Sequence, residues 1–247
     1  MPDETPPGRP SGRRRRAASL GEWLELRTVL LMLLLAGSIW AFVALAGEVL
    51  EGDTQALDRV LLLMLRVPGN PAEPFGPPWL KEMGRDLTAL GGYTVLTLLT
   101  LAVAAFLALR RMWGATLLLV AAVASGTLAS YLLKDIFDRP RPELVPHGSY
   151  VASASFPSAH SMMAAVVYLT LGALLARVEP LRRIKAFILS VAILLTLLVG
   201  ISRVYLGVHW PTDVLAGWTV GAAWALLCWL IARALQRRGQ VETDREP

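Results

Sequence analysis

Six nearly unbroken apolar runs, at 27–47, 89–109, 113–133, 160–176, 184–202 and 213–233, constrain this chain more than any other feature. Each is long enough, or nearly so, for an α-helix to cross about 30 Å of hydrocarbon. Continuous runs argue for helices, because barrel strands would alternate in polarity while a helix satisfies its own backbone amides within the bilayer. The fourth run is the shortest and needs its first turn within the interface. With 55% of 247 residues hydrophobic and a mean hydropathy of +0.52, the chain is too apolar for an ordinary soluble domain. The expected fold class is all-α, a polytopic membrane bundle of about six transmembrane helices.

Basic residues set the orientation. Arg13 to Arg16 precede the first run, Arg110 and Arg111 join the second to the third, Arg177 to Lys185 join the fourth to the fifth, and Arg233 to Arg238 follow the sixth. If every run crosses, all four clusters share one side, which places both termini in the cytoplasm. Residues 1–26 read as a disordered basic cytoplasmic tail, 27–236 as the membrane domain, and 237–247 as a cytoplasmic C-terminal tail. The competing reading makes the first run a secretory signal cleaved near Ala44-Leu45-Ala46, but the run exceeds the usual core of about 7–15 residues, so a retained anchor is expected.

Within the extracytoplasmic segment 48–88, Asp53 or Thr54 could cap a short helix carrying Leu57, Val60, Leu61, Met64 and Leu65 before a proline-rich stretch. Too short to span and strongly apolar, this segment is expected to lie in the interface. The net charge of +5 does not point to nucleic acid, because the arginines sit in short clusters between apolar runs. Cys228 is the only cysteine, which excludes an intramolecular disulfide and a thiolate metal site. There is no internal repeat and no glycine-rich nucleotide loop, which disfavours a kinase or nucleotide-driven transporter.

Three polar segments at the edges of these runs carry the chemistry, since lipid penalises such residues unless they have a use. In the first, Lys134 precedes Arg141-Pro142, with Arg139-Pro140 as a second Arg-Pro pair. A lysine offers phosphate a compact charge and an arginine a planar fork. Charges that merely end a helix are the bland alternative, but this loop lies opposite the basic clusters. In the second, Pro157-Ser158-Ala159-His160 opens the fourth helix, leaving backbone N–H groups able to meet an anion and placing Ser158 and His160 beside it. Alone, it reads equally as a capped helix with a surface histidine. In the third, Ser202-Arg203 ends the fifth helix, His209 follows, and Asp213 falls in the first turn of the sixth behind Pro211. A carboxylate near a histidine can hold one ring nitrogen as a donor and leave the other as a nucleophile, although Asp213 could also simply cap its helix.

Lys-x6-Arg-Pro, Pro-Ser-x-His and Ser-Arg-x5-His-x3-Asp, in this order, resemble the three-part signature of the type 2 phosphatidic acid phosphatase superfamily across about Asp86 to Trp229. The resemblance implies a membrane-lipid phosphate or polyprenyl pyrophosphate phosphatase with no cofactor. It implies that His209 attacks phosphorus, that Asp213 orients it, and that His160 protonates the leaving oxygen and then activates water. Lys134, Arg141, Arg203, Ser158 and the N–H groups around Ala159 would hold the phosphate oxygens. Ala159 stands where the family commonly has glycine; alanine keeps the N–H and needs no positive φ at a helix start.

His147 matches no motif position, and Asp135, Asp138 and Glu143 flank the basic loop without converging as magnesium ligands would, so metal-independent chemistry is expected. The expected location is a bacterial inner membrane, with the site on the extracytoplasmic face and the substrate's tail in the bilayer. Undecaprenyl pyrophosphate, phosphatidic acid, phosphatidylglycerol phosphate and a lipid A phosphate all suit such a site, with a lean toward the polyprenyl pyrophosphate. A lipid phosphotransferase and a non-catalytic lipid-binding protein are the alternatives. An inactive relative would be expected to lack His160, Arg203, His209 or Asp213, and all four are present.

Overall fold

A computed structural model describes residues 12–143 and 154–237. Its elements in chain order are α1 (Gly12–Glu51), α2 (Gln55–Leu63), β1 (Arg66–Val67), β2 (Asn70–Pro74), α3 (Pro78–Ala89), α4 (Tyr93–Leu109), α5 (Trp113–Phe137), α6 (Ala159–Val178), α7 (Arg182–Tyr205) and α8 (Pro211–Arg237). Among the described residues, five helices are long and apolar enough to cross a membrane, and the bent pair α3 and α4 makes a sixth candidate. α1 starts at Gly12, inside the segment read from sequence as a disordered tail.

α6 is the axle of the bundle and packs against α4, α5, α7 and α8. Its first twelve residues are almost all buried, from Ala159 through Thr170. The core around it combines Leu96 of α4, Met163, Val166, Val167 and Tyr168 of α6, and Ala192 and Val199 of α7. α1 by contrast leaves Leu30, Met32, Leu33, Leu34, Trp40 and Val43 more than half exposed, as expected of a helix facing lipid.

Two glycines set the contact that builds the site. A Cβ on Gly217 of α8 would stand 2.7 Å from the Ser158 carbonyl, and one on Gly221 would stand 2.5 Å from that of Met162. Only glycine lets the α8 backbone rest on the start of α6, the small-residue contact by which helices approach closely in membranes.

The second apolar run differs from its sequence reading. It is not one helix from 89 to 109: the chain breaks at Gly91-Gly92 and bends 46° between α3 and α4. A Cβ on Gly91 would stand 2.3 Å from Val199 and 3.2 Å from the His160 carbonyl, and the Tyr168 hydroxyl donates to the Leu90 carbonyl at 2.8 Å. Close packing against α6 and α7 therefore fixes the bend.

The segment 48–88 contains the expected short helix α2 and an antiparallel hairpin, β1 with β2, that the sequence reading did not foresee. Thr54 occupies the N-cap position of α2 but makes no side-chain cap. The apolar residues Leu57, Val60, Leu61 and Met64 point outward, while Asp58 on the inner face is fully buried.

Candidate active site

The three polar segments meet at one end of the bundle, where α5 and α7 end and α6 and α8 begin. Connectivity sends Arg110, Arg111, Arg177, Arg182, Arg183 and Arg233 to the other end. Phe156 anchors the loop before α6, with its ring 6.0 Å from Phe42 of α1 and 4.9 Å from Phe137 of α5.

Asp213 lies in the first turn of α8, and its two oxygens have different partners. Oδ2 accepts the Trp210 backbone N–H at 2.9 Å and lies 3.3 Å from His209 Nδ1. Oδ1 accepts from Arg139 Nη1 at 2.6 Å. One oxygen thus both meets the backbone N–H at the start of α8 and faces the histidine ring, so the two readings left open by the sequence are geometrically compatible.

His209 is 1% exposed. Its Nε2 lies 3.2 Å from Arg141 Nη1, which also donates to the Val208 carbonyl at 2.8 Å. A carboxylate at Nδ1 and a guanidinium at Nε2 together select the tautomer with its proton on Nδ1 and its lone pair on Nε2. Burial first, then the charges of Arg203, Arg141 and Lys134, hold the His209 pKa well below its usual 6.5. The ring is therefore neutral at neutral pH and able to act as a nucleophile.

The other candidate residues surround this pair. His160, in the first turn of α6, lies within electrostatic range of Arg203, His209, Lys134 and Arg141, and the Tyr93 ring presents an edge to it at 6.5 Å. Lys134 Nζ donates to the Ala154 carbonyl at 2.7 Å. Arg203 donates through Nη1 to the Thr88 hydroxyl at 3.0 Å, while its buried Nε meets no acceptor. Ser158 caps α6, its hydroxyl accepting from the Ser161 N–H at 3.4 Å and from the Ser161 hydroxyl at 3.0 Å. The Ser158 N–H donates to the Asp213 carbonyl at 2.9 Å, which ties the second segment to the third. Ala159 is the first residue of α6, so its N–H belongs to the turn that has no intrahelical acceptor.

Several participants escaped the sequence reading. Arg139, noted only as a second Arg-Pro pair, bridges Asp213 and Asp58. Asp58 was passed over inside an apolar helix pattern, where a lone carboxylate amid inward and outward leucines was the available signal. Thr88 of α3 positions Arg203. Arg66 of β1 donates to the Val204 and Tyr205 carbonyls at 3.1 and 2.6 Å, closing the end of α7 beside Arg203. Asp135, Asp138 and Glu143 are exposed, and among the described residues no three His, Cys, Asp or Glu side chains group as metal ligands. His147 lies outside the described residues.

Fold and site together define an integral membrane protein of packed helices, with a buried histidine-carboxylate pair set among cations. The family model described as "PAP2 superfamily" matches residues 114–237. Phosphatidylglycerophosphatase B of Bacillus subtilis is 38% identical over 182 residues, which cover 73% of this chain and 85% of that one. Lipid A 1-phosphatase of Rhizobium johnstonii is 31% identical over 196 residues, covering 69% and 75% of the two chains. The crystal structure of a transmembrane PAP2-type phosphatidylglycerolphosphate phosphatase from Bacillus subtilis aligns with a TM-score of 0.73 at 29% identity, covering 85% of this chain and 98% of that one. The chain belongs to the PAP2 superfamily and is a phosphatase.

Proposed function

We propose that this chain removes a phosphate from a membrane lipid phosphate or pyrophosphate through a phosphohistidine on His209, without a metal, at the extracytoplasmic face. The observation that carries the reading is the buried His209, neutral and held between Asp213 and Arg141 with its Nε2 lone pair toward the cations. Nε2 attacks phosphorus, the bond from phosphorus to the lipid oxygen breaks, and His160 gives that oxygen its proton. A water deprotonated by His160 then attacks the phosphohistidine, releasing inorganic phosphate and restoring both rings. Lys134, Arg141 and Arg203 neutralise the non-bridging oxygens, and the first-turn N–H groups of α6 add to them. Fixed cations supply the charge that a divalent ion would otherwise bring.

Phosphatidylglycerophosphate leads the substrate classes, because the relative matched at 38% identity is a phosphatidylglycerophosphatase; lipid A phosphate and undecaprenyl pyrophosphate follow. The test is phosphate release by purified protein in detergent with excess EDTA, across these lipids and phosphatidic acid, beside His209→Ala. Release by the wild type and its loss in the variant support the reading and rank the substrates. Release that depends on added magnesium refutes metal independence, and phosphate passed to a lipid acceptor instead of water marks a phosphotransferase.

A further inference from the structure

The basic residues of the site divide into two sets by what they face. Lys134, Arg141 and Arg203 surround the two histidines. Arg139 is turned away from them, and both its terminal nitrogens are engaged by carboxylates. Nη1 donates to Asp213 Oδ1 at 2.6 Å and to the Thr212 hydroxyl at 2.8 Å. Nη2 donates to Asp58 Oδ2 at 2.7 Å and reaches the Thr54 hydroxyl at 3.4 Å. The guanidinium also stands 5.7 Å from the centre of the Trp210 ring.

Asp58 completes the arrangement from the other side. Its Oδ1 accepts the Thr212 N–H at 2.9 Å, and its Oδ2 accepts the Thr212 hydroxyl at 2.6 Å. A carboxylate carried by α2 thus caps α8 from outside that helix, in the turn that holds Asp213. Asp58 and Asp213 have fully buried side chains, and that of Arg139 is 10% exposed. Burying a trio with one net negative charge is costly unless its geometry is used.

We propose that Asp58 and Arg139 are positioning residues for His209, a role that rests on the phosphatase reading given above. Arg139 anchors Oδ1 of Asp213, so the carboxylate cannot rotate and its Oδ2 stays aimed at His209 Nδ1. Asp58 fixes the guanidinium at its other edge and seats the first turn of α8. Neither residue touches phosphate. The extracytoplasmic helix α2 is in this way part of the catalytic centre, although it precedes the region matched by the family model.

The test uses the full chain in detergent with Asp58→Asn, Arg139→Gln and Arg139→Lys, measuring kcat and KM on phosphatidylglycerophosphate. A second readout compares the binding of orthovanadate, an oxyanion that bonds to an aligned imidazole nitrogen, with that of inorganic phosphate, which needs only the cations. Loss of an orienting partner lowers kcat on the order of 10–100-fold, with KM nearly unchanged because the phosphate cations are intact. Vanadate binding weakens in parallel while phosphate binding holds. Arg139→Lys stays nearer to Arg139→Gln than to wild type, because a lysine cannot bridge two carboxylates as a fork does.

A raised KM at constant kcat, or phosphate binding lost together with vanadate binding, overturns the proposal and makes Arg139 a substrate ligand. Wild-type kinetics in Asp58→Asn and Arg139→Gln overturn it as well. Should Arg139→Gln fail to fold, the near-isosteric Asp58→Asn decides; unfolding of both leaves a structural latch and ends the proposal. Should the wild type release no phosphate from any lipid, the phosphatase reading fails by itself, while the vanadate-to-phosphate comparison still reports the alignment of His209.

Discussion

In the proposed reaction His209 must be neutral to attack phosphorus and must then tolerate positive charge, and its surroundings suit both needs. Burial and three nearby cations keep it unprotonated, while the Asp213 carboxylate at Nδ1 stabilises the charge that develops. Because the folded pKa lies below 6.5, the ring keeps its lone pair as pH falls through that value, and the acid limb of kcat/KM due to His209 lies lower. Removing a cation weakens the shift, so Lys134→Gln is expected to be slower and to move that limb to higher pH. A limb unmoved or shifted down in the pH profile of kcat/KM would dismiss Lys134 as a cause. The same shift affects stability: below pH 6.5 the unfolded ring takes a proton that the folded ring refuses, so this contribution is complete above 6.5 and declines with acid. Thr88→Val tests Arg203 in turn. Losing the 3.0 Å bond is expected to cost about 1.4 kcal/mol, roughly tenfold in kcat/KM; an unchanged value would mean that Arg203 orients itself. The histidine, carboxylate and cation positions were legible because each stands at an abrupt change from apolar to polar sequence. Asp58 was not, since its partner Thr212 is 154 residues away and no local pattern reports such a meeting.

At the scale of elements, the apolar runs foretold where helices form but not how closely they approach. The contact of α8 with the start of α6 depends on Gly217 and Gly221, four residues apart in a run where glycine looked like any other small residue. Gly221→Val inserts a side chain where a Cβ alone would stand 2.5 Å from a carbonyl oxygen, so α8 must move. The expected result is a lower Tm in detergent, from overpacking of about 1–3 kcal/mol or more, with phosphatase activity lost because Asp213 and His160 separate. Gly37→Ala on α1, which meets nothing within 4 Å, is the control expected to leave both unchanged. Equal effects of the two substitutions would refute the packing account. The bend between α3 and α4 was also hidden, because Gly91-Gly92 interrupts a run whose hydropathy is otherwise continuous. In α2 the apolar residues Leu57, Val60, Leu61 and Met64 face out and the Asp58 carboxylate faces in, an arrangement that suits a helix lying in the membrane interface.

For the whole molecule, hydropathy foretold a helical membrane protein, and the basic clusters supply an expectation of sidedness that an experiment can test. The fold gathers the candidate site at the end opposite Arg110, Arg177, Arg183 and Arg233, so the orientation of one loop decides the orientation of the site. The proposal that the site faces outward rests on the positive-inside bias, which favours those arginines in the cytoplasm. Under that proposal the lipid substrate would be met in the outer leaflet and phosphate released into the extracytoplasmic space. Cys228 is the single cysteine, so a Cys228→Ala background accepts one reporter thiol at a time. Glu73→Cys on β2, near the site end, and Arg183→Cys on α7, at the far end, both occupy exposed positions. In intact cells a membrane-impermeant maleimide is expected to label the first and spare the second, with both labelled once the membrane is opened. The reverse pattern would turn the site toward the cytoplasm, so that a lipid made on that side would reach it without crossing, while the chemistry of His209 and its partners would be unaffected.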